Sequence, residues 1–379
     1  LIGFCSAWGY WLCAVIANVS YLVIVFSALS FFTDTPELRL FGDGNTWQSI
    51  VGASVLLWVV HFLVLRGVQT AAGINLVATL AKLLPLGAFV ALAALAFQLD
   101  TFRLDFSGLA LGVPVWEQVK NTMLITLWVF IGVEGAVVVS ARARHKRDVG
   151  RATLLAVLSA LAVYLLVTLL SLGVVPRSEL AEMRNPSMAG LMVRLMGSWG
   201  EIVIAAGLIV SVCGAYLSWT IMAAEVPFLA ATHKAFPRLF ARQNSNNAPS
   251  ASLWLTNISV QVSLVLIWLT GSDYGTLLTI ASEMILVPYL LVGAFLLKIA
   301  TRPLHKAVAI GACIYGIWLL YASGPVHLLL SVVLYAPGLL VFLYARRTHQ
   351  HDRSLKRREV ALIGLLLVAA VPATWMLVG

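Results

Sequence analysis

In the stretch TLWVFIGVEGAVVVSARARHKRDVGRAT (residues 126–153), Glu134 stands in the middle of an apolar run. Gly132 and Gly135 flank it, and a burst of basic residues follows. A charge at mid-membrane costs at least about 2.5–3.5 kcal/mol on insertion scales, so this carboxylate needs a partner or a wet cavity. The glycines permit a locally unwound helix, whose free backbone groups can hold an amino-acid head group. Trp128, Ile131 and Glu134 recur at three-residue spacing and lie along one helix face. An indole and a carboxylate on one face suit a flat cation, through cation–π contact and a charge-assisted hydrogen bond. The competing reading is a protonated or hydrogen-bonded acid that ties neighbouring helices together.

Two more carboxylates fall within or at the edge of apolar runs. Glu225 lies near the end of its run, where an acid at a membrane interface is unsurprising. Glu283 lies about a third of the way into IASEMILVPY, with Pro288 following, and reads equally as structure or as function. Tyr10 and Asn18 share one long apolar segment, a little over two turns apart. Either alone reads first as a polar contact between helices. Cys5, Cys13, Cys213 and Cys313 lie inside apolar runs without metal-ligand spacing and read as buried small hydrophobes. No metal or cofactor is expected.

The elements that must position these groups are long. Of 379 residues 61% are hydrophobic and 11% charged, where a soluble domain is about a quarter charged, so the chain reads as a polytopic membrane protein in one domain, residues 1–379. Spans of about 20 apolar residues are expected at 3–32, 47–65, 76–97, 119–141, 152–175, 201–224, 252–270, 275–299, 306–323, 326–345 and 360–378. Run length and the lack of two-residue alternation favour helices over barrel strands, an all-α fold. Most of the 25 basic residues fall in alternate loops, among them Arg142, Arg144 and Arg151, then Lys234, Arg238 and Arg242, then Arg346 and Arg347. The positive-inside rule puts these loops in the cytoplasm, residue 1 on the cytoplasmic side and residue 379 outside. The basic runs therefore read as anchors at the lipid bilayer, with no nucleic-acid partner. The first segment is too long for a signal peptide and lacks a basic start. The chain reads as the remainder of a longer polypeptide.

Several separated stretches resemble one family. LWVFIGVEG followed by RHKRDVGRAT is similar to the sixth span and following loop of the amino acid–polyamine–organocation transporters, specifically the basic amino acid/polyamine antiporters. YWLCAVIANVSY resembles the third span of that family, LSWTIMAAEVPFLAATHKAFPRLFAR the eighth and its exit, and ILVPYLLVGAFLLK the end of the tenth. The arginine/ornithine branch, which carries an extra helix after the usual twelve, is the nearest in pattern. The resemblance implies two inverted five-helix repeats with a mid-membrane site between them, here lacking the first two spans. Those spans hold the Gly-rich segment that binds the α-amino and α-carboxyl groups, and without them no transport is expected.

By the same resemblance, Tyr10, Glu134 and Tyr289 form a cytoplasm-side gate, and Trp219 a middle gate over the aliphatic stem of the substrate. Trp128 stacks on the guanidinium, Ile131 packs beside it, and Asn18 bonds the distal end. Gly150 and Ala281 depart from residues common in relatives, proline and serine respectively, and Glu283 is an unusual neighbour that could change which cation is preferred. The implied activity is exchange of extracellular arginine for intracellular ornithine across a bacterial inner membrane, with the homo-oligomeric state left open. Arginine/agmatine or lysine/cadaverine exchange, or a basic amino acid permease, are the alternatives. An enzyme is not expected, since no HExxH, GxSxG or phosphate loop occurs, and no TVGYG-type filter suggests a channel.

Overall fold

The computed structural model describes residues 1–67, 83–135, 145–183 and 185–349, with part of 357–370. These residues are helical and contain no strand. Helix α1 (Ile2–Thr33) carries no charged residue, is apolar all round, and buries 83% of its most apolar stretch. A helix without a polar face belongs in a core, and α1 is that core: it packs mainly on α10 (Ser198–Thr232) and α12 (Tyr274–Ile299). Between them lie α2 (Trp47–Leu65), α3 (Leu83–Leu95) and the short α4 (Leu99–Arg103). Next come α5 (Val115–Asn121), α6 (Met123–Trp128), α7 (Lys146–Val174), α8 (Arg177–Glu182), α9 (Ser187–Met196) and α11 (Ser250–Thr270). Helix α13 (Pro303–Thr348) closes the series.

Seven helices among the described residues are long and apolar enough to span a membrane. They correspond to the expected spans 3–32, 47–65, 152–175, 201–224, 252–270, 275–299 and 306–323. The 326–345 span continues from the last of these through a break at Gly324 (φ 82°, ψ 166°), next to Pro325. Of the span expected at 76–97, residues 83–97 are described and Leu83–Leu95 is their helix; residues 362, 365, 369 and 371–378 of the last expected span lie outside the described residues. Helix α7 is as apolar as α1 yet exposes Leu154, Leu155 and Leu158 by half or more. Contiguous apolar surface of that extent fits a lipid surrounding rather than water.

Residues 119–141 are not a single helix: the helical run starts after Pro114, is interrupted at Thr122, and ends at Trp128. Beyond it the amides of Phe130, Ile131 and Val133 reach back only three residues, to Leu127, Trp128 and Phe130. Gly132 has φ 107°, a region that residues with a side chain rarely enter, so the α-helix cannot run through it. The cysteines are also less enclosed than expected: Cys13 is buried, whereas Cys5, Cys213 and Cys313 are half-buried.

Two prolines shape the helices around α1, and both leave a carbonyl that a neighbouring helix satisfies. Pro288 has no N–H for the carbonyl of Met284; the Tyr335 hydroxyl on α13 donates to that oxygen at 3.4 Å. Tyr335 passes there only because Gly9 of α1 lacks a side chain, since a Cβ would stand 1.7 Å from the hydroxyl. Pro227 likewise frees the carbonyl of Ala223, which accepts from the Thr256 hydroxyl of α11 at 3.3 Å. Thr256 in turn accepts from Trp11 Nε1 of α1 at 3.0 Å. Thr256→Val keeps the shape and removes this donor. It is expected to cost about 1 kcal/mol, read as a lower midpoint of thermal unfolding in detergent. An unchanged midpoint would mean that the Ala223 carbonyl finds another donor.

Candidate functional site

The unwound segment after α6 brings Glu134 between α1 and α12. The Tyr10 hydroxyl donates to Glu134 Oε1 at 2.9 Å, the Tyr289 hydroxyl to Oε2 at 3.1 Å, and the Gly132 amide to Oε2 at 3.0 Å. Three residues far apart in sequence thus meet on one half-buried carboxylate. A carboxylate offers about four acceptor positions, and the three donors seen here are all neutral. They hold the group in place and leave its charge uncompensated by any cation in this cluster. Each donor has a structural cause. Tyr10 lies on the buried central helix, Tyr289 directly follows the proline bend of α12, and the Gly132 amide is free because the helix has ended.

A second cluster touches the first. Ala14 and Ala17 of α1 pack with Trp219 and Ala223 of α10, and Tyr21, Trp128, Ile131 and Met222 surround them. The Tyr21 ring lies 6.4 Å from those of both Trp128 and Trp219. Gly132 joins the two clusters: a Cβ on it would stand 3.0 Å from Cζ2 of Trp219. The alanines leave room for the indole on the face of α1 that carries Tyr10 at one end and Tyr21 at the other, three turns apart. The site is therefore a carboxylate at the floor of an aromatic wall.

Tyr10, Glu134 and Tyr289 meet in the first cluster, and Trp128, Ile131 and Trp219 in the second. Asn18 is completely buried on α1, one turn beyond Ala14, and neither amide atom has a hydrogen-bond partner among the described residues. It joins neither cluster by a direct hydrogen bond. Glu283 is 1% exposed, on the buried stretch Ala281–Leu286 of α12, and is no part of the Glu134 hydrogen-bond set. Glu225 is half-buried, a turn and a half past Trp219 on α10. Sequence reasoning missed Tyr21 and the Gly132 amide. The eleven-residue interval from Tyr10 to Tyr21 was a legible signal, because it returns to the same face after three turns.

A bundle of membrane-length helices around a broken helix, with a carboxylate at the break, defines a multi-pass membrane carrier. The profile of the amino acid permease family matches residues 1–366, and the chain belongs to that family. It is 88% identical over 379 residues to an Escherichia coli (strain K12) protein named "Putative arginine/ornithine antiporter", covering all of this chain and 82% of that protein. It is 44% identical over 365 residues to the arginine/ornithine antiporter of Pseudomonas aeruginosa, covering 91% of this chain and 74% of the relative. The arginine/agmatine antiporter of Chlamydia caviae is 38% identical over 394 residues, covering 99% and 80%.

Gly132→Ala tests the break directly. The left-handed backbone and the close Trp219 ring together are expected to cost about 1–3 kcal/mol and to shift tryptophan emission. A variant with the parental unfolding midpoint and emission would show that the segment tolerates a side chain and is less tightly set against Trp219.

Proposed function

We propose that the protein exchanges extracellular arginine for intracellular ornithine by alternating access in a bacterial inner membrane, with residue 1 on the cytoplasmic side and residue 379 outside. The observation that carries this reading is the Glu134 carboxylate, whose hydrogen-bond donors among the described residues are all neutral, beside an indole wall. A fixed anion among apolar side chains favours a cationic ligand, and flat aromatic faces favour a guanidinium. The names of the relatives from Escherichia coli and Pseudomonas aeruginosa agree with this pair of substrates.

In this proposal Trp128 stacks on the cationic end with Ile131 beside it, Trp219 closes over the aliphatic stem, and Asn18 turns its unpartnered amide to the ligand. Tyr10, Glu134 and Tyr289, joined as they are here, form the closed inner gate, and Glu283 biases cation choice from α12. Opening toward the cytoplasm breaks two hydrogen bonds to Glu134. On the return, an empty closed site leaves this anion unpaired in a low-dielectric setting; with a cation bound, the charge stays paired. Exchange follows, because return without a second cation is the costly step. Arginine and ornithine carry equal net charge near neutral pH, so one-for-one exchange moves no charge.

A second reading, arginine for agmatine, is favoured by the name of the Chlamydia caviae relative; it moves net charge. Counterflow of labelled arginine into proteoliposomes that hold the full-length chain and are loaded with ornithine, at two clamped membrane potentials, separates the two. Fast entry at equal rate at both potentials is expected, falling at least tenfold in Glu134→Gln. Entry that needs agmatine inside and follows voltage would select the second reading. Full exchange by Glu134→Gln would remove the carboxylate from the proposal.

A further inference from the structure

An apolar trough lies away from Glu134, on the outer face of the pair α2 and α11. It encloses about 760 Å³. Val51, Val55 and Val59 line one side as a stripe at four-residue spacing, ending at Phe62, and Val265 and Trp268 face them from α11. From Trp47 to Phe62 the stripe runs about 22 Å at 1.5 Å per residue, enough for an extended acyl chain. The polar groups in its floor satisfy one another. Trp58 Nε1 donates to Gln261 Oε1 at 3.1 Å, Gln261 Nε2 to Ser54 Oγ at 2.8 Å, and Ser54 to the Ile50 carbonyl at 2.7 Å. A hydrocarbon lying there leaves no donor stranded.

At the Trp47 end the trough opens, past Trp47 and Trp268, into a polar pocket of about 540 Å³ lined by Arg39, Asn45, Thr46 and Gln48. Arg39 forms an exposed ion pair with Asp43, so a cation and an anion stand side by side at the mouth. The loop that holds them is fixed. Asp34 accepts the amides of Leu40, Phe41 and Gly42 at 3.2, 3.0 and 2.8 Å, and Thr46 caps α2 by accepting from the Ser49 amide at 3.2 Å.

We infer that this groove is a binding site for one zwitterionic glycerophospholipid, one of its two acyl chains along α2 and its head group at the Arg39–Asp43 pair. The apolar trough matches the chain, and the paired charges match a phosphate beside an ammonium, with Arg39 taking the phosphate. The head group lies at the outer membrane face in the orientation proposed above. Arg39 and Val55 are both exposed and lie outside the Glu134 and Trp219 clusters, so changing them leaves that machinery intact.

Native mass spectrometry of the delipidated protein, titrated with phosphatidylethanolamine, tests the site. The parent is expected to retain one lipid per chain. Val55→Trp, which fills the trough, and Arg39→Gln, which removes the phosphate partner, are both expected to lose it. Leu304→Trp, on an exposed stretch of α13, is expected to keep it and controls for added bulk. Retention of the lipid by either trough variant overturns the proposal. So does a parent without a retained lipid, or a parent dimer that Val55→Trp dissociates with no lipid bound.

Discussion

A carboxylate set among apolar helices, with no cation beside it among the described residues, is the constraint around which this molecule is arranged. Glu134 must be given donors, and the fold supplies three: two tyrosine hydroxyls from helices on either side and a backbone amide released by a break in its own helix. None of the three carries charge. The arrangement therefore keeps the anion ordered and still in need of a cation, which is what a carrier for positively charged solutes requires. A lysine or arginine in the same place would satisfy the charge permanently and leave nothing for a ligand to do.

The supporting structure shows how that constraint spreads. Tyr289 reaches Glu134 from just beyond Pro288, and the bend there is held by Tyr335 through the gap above Gly9. Trp219 reaches the site from one turn before Ala223, whose carbonyl, freed by Pro227, accepts from Thr256, and Thr256 in turn accepts from Trp11. In both places a proline loosens a helix near the site and a side chain from another helix repays the lost hydrogen bond. Irregular backbone at membrane depth is tolerated where protein surrounds it.

Much of this was legible in the residues. Length, apolar runs and basic loops pointed to membrane helices, and the kink at Gly324 falls between the two spans expected at 306–323 and 326–345. The three-residue rhythm of Trp128, Ile131 and Glu134 with its flanking glycines pointed to an unwound helix bearing a carboxylate. The misreading was the extent of that helix. Hydropathy sees residues 119–141 as continuous because Gly and Thr hardly interrupt an apolar average, whereas the backbone sees Gly132 at φ 107° as a stop. The partners of Glu134 were legible only by resemblance, since Tyr10 and Tyr289 stand 124 and 155 residues away and no local rule pairs them. Tyr21 and the Gly132 amide went unread, because one sits in a run of apolar neighbours and the other has no side chain to notice.

A fixed anion at Glu134 must make the site select for charge at the distal end of its ligand. Binding of arginine and of citrulline, its uncharged near-isostere, to the purified protein measures this most directly by calorimetry. A fixed anion predicts that arginine binds at least about a hundredfold more tightly, about 2.7 kcal/mol, and that Glu134→Gln closes most of that gap. Equal affinities in the parent would contradict the account, because shape alone would then explain recognition and Glu134 would be a structural acid.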